Sequence, residues 1–433
     1  MASKRRPSGE FLHTPLAEGL DLHVRTTQRF KTISLQAVLA SELGADATKL
    51  ALLSMLLKRG TRRLPSHQAQ TRFLENLYGA GFDVDVQKRG EFHLLVARLS
   101  HPAPAFVDEG ETLLEESLRF LGECLSDPRL VNGVFPADVV EQEKTNLRRA
   151  IQSLVNHREQ YALEKLIRTM CRGERFAVYE YGRLEDLDDA SPAALHRFQR
   201  RLLRTRPLTL LACGAVDPDR LAALAETHLG WTRDTIEVPP VAERRRAPAA
   251  PRREEEAFPM EQEWIVRGYR IDADVPGPDD AALLFFNGIL GGFAFSRLFK
   301  QIREHEGLAY DIGSHTERLK GLLLVSAGVQ PGSADKVLSR IDGIVEDLRG
   351  GNVTAEEMEG ARNRLLAEVR SLHDSPEMMI ASHKSGLLAG RVRTVAEMEE
   401  AIRAVAPGDV TRLASSLRLD TTFLLRPART GGS

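Results

Sequence analysis

The chain has 433 residues, a length that predicts two or three domains at roughly 150 residues per domain. Its composition is 42% hydrophobic, 28% charged and 6% aromatic, which is typical of a globular protein and excludes disorder as the main state. A net charge of −2 lacks the basic excess of proteins that bind nucleic acid, so we expect no nucleic-acid partner.

Two further properties bear on location. No run of about eighteen apolar residues occurs, and the basic start is followed by no apolar segment of the signal-peptide kind, so we expect no membrane span. The cysteines form no C-x-x-C pair and are predicted to be buried thiols of a reducing compartment, without a cysteine-based zinc site. We therefore expect a cytoplasmic protein. The cysteines are Cys124, Cys171 and Cys213.

In chain order, the first strong pattern is an apolar helix over Leu50–Thr61, which runs into Lys58, Arg59 and a stop at Gly60. By itself this pattern indicates a core helix. Strands and long helices then alternate along the chain. The strands are predicted at Phe92–Leu99, Leu208–Ala212 and Leu322–Val329, and the helices at Asp108–Leu125 and Ala334–Leu348.

A composition shift divides the chain. Residues Val238–Glu256 read VPPVAERRRAPAAPRREEE, and such a stretch buries too little apolar surface to offset its ordering entropy. We interpret it as a linker over 238–257, between an N-terminal domain over 1–237 and a C-terminal domain over 258–433. Its arginine run is interpreted as a solvated tether, because the following glutamates cancel the charge.

The two halves look related. Ala137–Ile151 aligns with Ala355–Val369 without a gap, and identical residues stand at three positions. Duplication is the economical explanation, although a charged helix can resemble another by composition alone. Each half is predicted to be α+β, with helices packed on one face of a mostly antiparallel sheet.

The residues alone reveal no complete catalytic constellation. No two histidines have the spacing of metal ligands on a helix, and the nucleophile-elbow and phosphate-loop motifs are absent. His305 stands between Glu304 and Glu306, but adjacent helical residues point apart, so a solvated surface is the better interpretation. Within Asn287–Tyr310, glycines break one helix, Ser296 begins another, and Gly307 ends it before a strand.

That last segment carries a resemblance. SRLFKQIREHEGLAY, residues 296–310, is similar to the C-terminal signature of the pitrilysin and insulinase-like (M16) metallopeptidases, and the similarity extends over nearly the whole chain. It looks closest to the small bacterial members that work in pairs. The resemblance implies two homologous domains that are joined by the linker into half of a clamshell.

The chain departs from the family at the zinc motif. Registering the Gly-Thr that ends the family's H-x-x-E-H helix on Gly60 and Thr61 places the zinc-site positions on residues that cannot bind zinc well. The resemblance therefore implies no metal in this chain, no activity of the chain alone, and zinc in a partner subunit. The degenerate positions are Ala51, Ser54 and Met55 and, for the distal glutamate, Ala150.

The resemblance also implies which residues keep a role. In paired members, the chain without zinc ligands contributes an Arg and a Tyr to its partner's active site, and these map to Arg303 and Tyr310. Judged without the family, Arg303 would form a surface pair with Glu304 or Glu306, and Tyr310 would be a half-buried strand residue. The family holds peptide substrates on a sheet edge, which maps to Phe82–Gly90 and to Phe82, Val84 and Val86 within it. A polar edge strand that only avoids aggregation is the alternative.

The preferred interpretation is thus a non-catalytic subunit of a heterodimeric zinc peptidase, whose partner bears H-x-x-E-H and cleaves peptides. The alternative is a catalytically inactive pseudo-peptidase that acts as a homodimeric structural or peptide-binding module.

Overall fold

The computed structural model describes residues 10–108, 110–240 and 242–428. The chain forms two compact units, each assembled from several stretches of sequence. Apart from the single-residue gaps, unit 1 contains residues 10–151, 178–240 and 371–392, and unit 2 contains residues 152–177, 242–370 and 393–428. This division differs from the predicted succession of one domain over 1–237 and a second over 258–433.

The strands follow the runs of apolar and β-branched residues. Their bounds are β1 (Leu12–Ala17), β2 (Leu20–Thr26), β3 (Thr32–Glu42), β4 (Gly81–Arg89), β5 (Phe92–Pro102), β6 (Leu208–Gly214), β7 (Arg252–Phe258), β8 (Glu263–Ile271), β9 (Ala309–Glu317), β10 (Leu322–Val329) and β11 (Leu417–Pro427).

The helices are mostly amphipathic, and several begin at a Ser, Thr or Asp cap. Their bounds are α1 (Ala47–Leu56), α2 (His67–Asn76), α3 (Leu113–Ser126), α4 (Ala137–Ser153), α5 (Arg158–Met170), α6 (Pro192–Thr205), α7 (Pro218–Leu229), α8 (Asp280–Asn287), α9 (Ala334–Arg349), α10 (Ala355–Ser371), α11 (Pro376–Leu388), α12 (Val395–Ala404) and α13 (Pro407–Ser416). Two segments, Gly288–Gly292 and Leu298–His305, are π-type helices.

The two units have sheets of the same design. In unit 1 the described strands are ordered β1-β2-β6-β3-β5-β4, and in unit 2 the order is β7-β11-β8-β10-β9. In each sheet one neighbouring pair is parallel, β2 with β6 and β7 with β11, and the other pairs are antiparallel. If β2 of the first sheet is matched with β7 of the second, the five strands from there onward follow the same order along the chain and have the same relative directions. The predicted α+β class with mostly antiparallel sheets is confirmed.

The helices that aligned in the sequence also correspond in structure. Helices α4 and α10 are each 17 residues long, and each continues into a three-residue 3₁₀ turn and then a 13-residue helix, α5 or α11. Together with the matching sheets, this correspondence supports duplication over a chance similarity of charged helices.

One face of each sheet packs against the main group of helices of its own unit. In unit 1 this core contains Leu35, Leu53 and Phe120, and in unit 2 it contains Ile265 and Phe286. The three cysteines are buried, as predicted, and none forms a disulfide bond within the described residues.

The second face of each sheet is covered by a helix from the other half of the chain. Helix α5 lies on the unit 2 sheet, where Leu166 and Met170 join a cluster with Leu324. Its approach is close, because a Cβ atom on Gly268 of β8 would lie 2.5 Å from the sulfur of Met170. Helix α11 correspondingly covers the unit 1 sheet, where Met379 joins a cluster of sheet residues. The two halves of the chain therefore exchange one helix each, and each exchanged helix belongs to the unit whose sheet it covers.

The predicted linker over 238–257 needs a correction. Its residues from Arg252 onward belong to β7, which pairs in parallel with β11. The alternating polar residues of this edge strand have partners: Glu256 accepts hydrogen bonds from Tyr161 at 2.6 Å and Lys165 at 2.7 Å, and Glu254 accepts one from Thr169 at 2.7 Å. Sequence inspection missed the strand because its stability comes from ion pairs and backbone pairing rather than from an apolar face.

No helix in the described ranges is long and apolar enough to cross a membrane.

Candidate functional site

Helix α1 carries the first three positions that the family resemblance assigned to zinc chemistry. Ala51 and Ser54 are only 1% and 4% exposed, and Met55 is half-buried against the core of unit 1. The hydroxyl of Ser54 donates a hydrogen bond to the carbonyl oxygen of Ala51 at 2.8 Å. The helix therefore offers a methyl group, a hydroxyl bound to its own backbone and a thioether, none of which is a favourable ligand for Zn²⁺.

The Gly-Thr pair after α1 has a structural role that does not depend on a metal. Gly60 has φ +133°, and a Cβ atom there would lie 2.9 Å from the carbonyl carbon of Pro65. The backbone N–H of Thr61 donates to the carbonyl of Leu64 at 2.9 Å, and the hydroxyl of Thr61 accepts from the Leu64 N–H at 2.9 Å. The turn that follows the zinc helix in the family pattern is therefore present in this chain, where it stabilises the local backbone.

Helix α4 carries the fourth position, Ala150, which is half-buried. Two helical turns before Ala150, the carboxylate of Glu143 forms an ion pair with Arg59. It also accepts a hydrogen bond from the side-chain amide of Asn146 at 3.1 Å. Lys144 beside it binds Glu141 at 3.0 Å. Glu143 and Lys144 are therefore already occupied by charged partners.

The donor set does not fit zinc. Across 10–108, 110–240 and 242–428, no group of three His, Cys, Asp or Glu side chains is arranged to hold a metal ion. No catalytic step that uses a metal of this chain can be built from these residues.

The predicted substrate edge does lie at an edge, since β4 pairs only with β5 in the described sheet. The side chains of the three predicted binding residues, however, point into the core. Val84 and Val86 are 0% and 2% exposed, and the ring of Phe82 packs edge-on against Phe120 with centroids 4.8 Å apart. A peptide on this edge would therefore meet the main chain of β4 rather than these side chains.

Two acidic side chains occupy part of this edge. The N–H of Lys88 donates to the carboxylate of Glu180 at 3.2 Å, and the N–H of Val86 donates to Asp85 at 2.8 Å. Because N–H groups of alternate residues point to the same side of a strand, Phe82 and Val84 present theirs on this open side. Neither of these two N–H groups donates to an acidic side chain within the described residues. No sequence pattern points to Glu180, which is far from β4 along the chain.

Arg303 lies near the end of the π-type helix Leu298–His305, with its side chain exposed. Its guanidinium stands over the ring of Phe299, 4.8 Å from the centroid. It forms no ion pair in the described part of the chain, and Glu306 instead binds Arg340. The surface pair with Glu304 or Glu306, which was the alternative role for Arg303, is therefore not formed.

Tyr310 lies at the start of the edge strand β9 and is 52% exposed. Ala309 pairs with Val329 while Asp311 pairs with Gly328, so Tyr310 is the extra residue of a β-bulge. Bulges turn a side chain away from the regular alternation and are common beside active sites. The Tyr310 hydroxyl has no hydrogen-bond partner within the described residues.

The local chain path brings Arg303 and Tyr310 to neighbouring elements. Gly307, with φ +62°, ends the helix, and the Leu308 N–H then donates to the carbonyl of Ile302 at 3.0 Å. The helix packs against β9. No hydrogen bond joins the two side chains within the described ranges, so both remain available to an outside group.

Taken together, these features define a class: a duplicated α+β protein in which the positions that the resemblance assigns to zinc are filled by non-ligands. The family model described as Peptidase M16 inactive domain matches residues 189–365. The chain is also 28% identical over 415 residues to a Bacillus subtilis (strain 168) protein named "Probable inactive metalloprotease YmfF". The aligned region covers 94% of this chain and 96% of that protein. The chain is thus similar to the M16 peptidase family over residues 189–365 and, over nearly its whole length, to a relative named as inactive.

Solved structures show the same fold. A conserved protein from Enterococcus faecalis V583 superposes with a TM-score of 0.91 at 24% identity, over 98% of this chain and 100% of that one. A peptidase M16 inactive domain from Pseudomonas fluorescens superposes with a TM-score of 0.81 at 16% identity, again over 98% and 100%.

Proposed function

We propose that the chain is the non-catalytic subunit of a heterodimeric zinc peptidase of the cytoplasm. Its partner bears H-x-x-E-H, binds the zinc ion and activates water, and the complex cleaves peptides. This chain supplies Arg303, Tyr310 and part of the chamber wall. The observation that carries the proposal is a contrast: the positions assigned to zinc are filled by buried or half-buried non-ligands, whereas Tyr310 is exposed at a bulge and its hydroxyl has no partner within the described residues.

The chemistry of the two side chains suits this role. When water attacks a scissile carbonyl, negative charge develops on the carbonyl oxygen, and a fixed hydroxyl donor such as that of Tyr310 stabilises it. The guanidinium of Arg303 can hold a peptide carbonyl beside it. Neither group needs a metal in its own chain, so both can act in the site of another subunit.

The peptide would add to the unit 1 sheet along β4. Backbone groups of Phe82 and Val84 would pair with it, while the carboxylates on Val86 and Lys88 limit the added strand to the first part of this edge.

The same carboxylates favour a second candidate, an inactive homodimeric module that binds peptides weakly or serves only as structure. Acidic caps on backbone donors are a device that protects an edge from pairing. In this case the exposed Arg303 and Tyr310 would be unused.

The two candidates can be separated by tagging the chain in its native host and isolating its complexes under native conditions. We expect a second chain with H-x-x-E-H, zinc that follows that second chain, and peptide cleavage by the pair but not by this chain alone. Recovery of only a homodimer would favour the second candidate. Chelator-sensitive peptide cleavage by the pure chain would contradict both.

A further inference from the structure

Unit 2 contains a cavity of about 810 Å³ that the proposed peptidase role does not use. Its walls are residues 244–251, the end of β8, the last turns of α9 and the first residues of β11. Strand β7 begins to pair with β11 only at Thr421, and the preceding residues Leu417–Leu419 line the cavity. The volume lies within the range of about 300–1,000 Å³ that is usual for small-molecule sites.

The wall carries an excess of positive charge. Six arginines line it against three acidic side chains, and two of these acids already have partners. Asp342 accepts from Arg267 at 3.1 Å, and Glu346 is bound by Arg349. The lining arginines are Arg244, Arg245, Arg246, Arg270, Arg349 and Arg418, and the acids are Asp272, Asp342 and Glu346.

Three of the arginines lack a carboxylate partner in the described part of the chain. Arg244 donates to the carbonyl of Ala273 at 3.1 Å, and Arg418 donates to the carbonyl of Leu417 at 2.9 Å. Arg246 makes no hydrogen bond within the described residues. Burial lowers the pKa of Arg244, because its charge is partly removed from water. A guanidinium in this situation is stabilised by an anion that replaces the lost water.

The glutamates that follow in the sequence do not neutralise this wall. Glu254 and Glu256 face α5, where they bind Thr169 and Lys165, and Glu255 binds Arg253 at 3.0 Å and Arg426 at 3.2 Å. These glutamates therefore do not pair with the arginines of residues 244–246, of which only Arg245 has a carboxylate partner, Glu243 at 2.9 Å, within the described residues.

We propose that this cavity binds a small molecule that carries a phosphate group. The phosphate would be held by Arg244, Arg246 and Arg418, whose planar guanidinium groups match phosphate oxygens in geometry. The apolar body of the ligand would lie against the apolar part of the wall, which includes Pro248 and Ile271. The three arginines without a carboxylate partner outnumber Asp272, the one lining acid that forms no ion pair within the described residues, and this surplus favours a dianionic phosphate over a single carboxylate.

The test is thermal unfolding of the full chain with AMP, inorganic phosphate, adenosine or triglutamate as probes. We expect saturable stabilisation by AMP, weaker stabilisation by inorganic phosphate and none by adenosine. The double variant Arg246→Gln, Arg418→Gln should raise the apparent Kd for AMP at least about tenfold. Arg364→Gln, which removes an exposed arginine of α10 that pairs with Glu368, is the matched control and should bind as the wild type does.

Three results would overturn the proposal: no saturable response to AMP or to inorganic phosphate, an equal response in the double variant, or tighter binding of triglutamate than of AMP. The last result would make the cavity a site for acidic peptides. None of these measurements involves a partner subunit or peptide cleavage, so they are independent of the proposed peptidase role.

Discussion

Arg59 and Glu143 form an ion pair that joins the chain just after α1 to the middle of α4. The carboxylate is almost fully buried, with 4% of its side chain exposed, while the arginine side chain is 35% exposed. These are the two helices that carry the degenerate zinc positions. The pair holds them together without an ion.

Replacing Arg59 with Ala should therefore destabilise the protein. Removing one partner of a buried ion pair costs about 3–5 kcal/mol, and because Arg59 is partly solvated we expect about 2 kcal/mol from urea unfolding. Lys58→Ala is the control, since Lys58 pairs with Asp83 at 3.1 Å and both side chains are at least 40% exposed. It should cost less than about 1 kcal/mol. An equal loss in the two variants would contradict the structural role of the pair.

Gly60→Ala tests whether the turn after α1 is needed for folding. The positive φ and the approach to Pro65 both oppose a Cβ atom, and we expect a loss of about 1–3 kcal/mol in unfolding free energy. Gly44→Ala is the matched control, because a Cβ atom there meets nothing within 4 Å. Its effect should stay within about 0.5 kcal/mol. The turn would not be strained as described if Gly60→Ala behaved like the control.

The stability of unit 1 should fall in mild acid because two histidines, His23 buried and His383 half-buried, resist protonation. The rings of His23 on β2 and His383 on α11 meet at 3.0 Å between Nδ1 and Nε2. Burial, reinforced by the neighbouring histidines, lowers the pKa of His23 to about 4 and that of His383 to about 3, while Asp21 partly opposes the shift at His23. Below about pH 6.5 the unfolded chain binds more protons than the folded one, so each histidine costs about 1.4 kcal/mol per pH unit until its folded pKa is reached.

Urea unfolding at about pH 7.5 and about pH 5 checks this sign, since no such loss is expected above the unfolded pKa. His383→Phe should lose less stability between the two pH values than the wild type, by about 1 kcal/mol or more. Phe11→Leu is the control, because it removes the ring that stacks on His383 at 4.1 Å but keeps both histidines. Phe11→Leu should lower the free energy of unfolding at both pH values. It should leave the difference in that free energy between the two pH values as in the wild type.

Tyr310→Phe tests the role proposed for this hydroxyl in a reconstituted complex. Loss of one oxyanion donor typically costs about 100-fold to 1,000-fold in kcat, and KM should change little because the ring remains. The hydroxyl has no partner within the described residues, so the unfolding midpoint of the isolated chain should stay as in the wild type. Full cleavage activity in the Tyr310→Phe complex would remove the assigned role.

Arg303→Gln should also impair the complex, through weaker holding of the peptide. Lys300→Gln is its matched control, since Lys300 is exposed on the same helical segment. We expect a higher KM for Arg303→Gln, measured by peptide cleavage, and wild-type kinetics for the control. Equal kinetics in both variants would leave Arg303 as a surface residue that stacks on Phe299.

Much of the fold is readable from local pattern. Residues Leu322–Val329 are a strand over the predicted bounds, and the charged, alternating segment after Gly81 is indeed an edge strand. Apolar runs with clear stops report burial directly. The lack of zinc ligands at the positions that the resemblance assigns to the metal is also read from residue identity, since neither alanine nor serine can replace histidine or glutamate as a ligand.

Other features have no local signal. The apolar stripe of α5 predicts that Leu166 and Met170 are buried, but periodicity does not say which sheet covers them. The bulge at Tyr310 depends on how β9 registers with β10, and the cap on the Lys88 N–H comes from Glu180 through long-range packing. Such details required the three-dimensional arrangement.

The reciprocal placement of α5 and α11 bears on how such a chain arose. Each helix is covalently part of the repeat whose own sheet it leaves uncovered on one side. A single-repeat ancestor of about half this length could complete its sheet only by borrowing the helix of a second copy. A repeat expressed alone would thus expose the apolar second face of its sheet, and the covalent connection between the repeats keeps the covering helix close to that face.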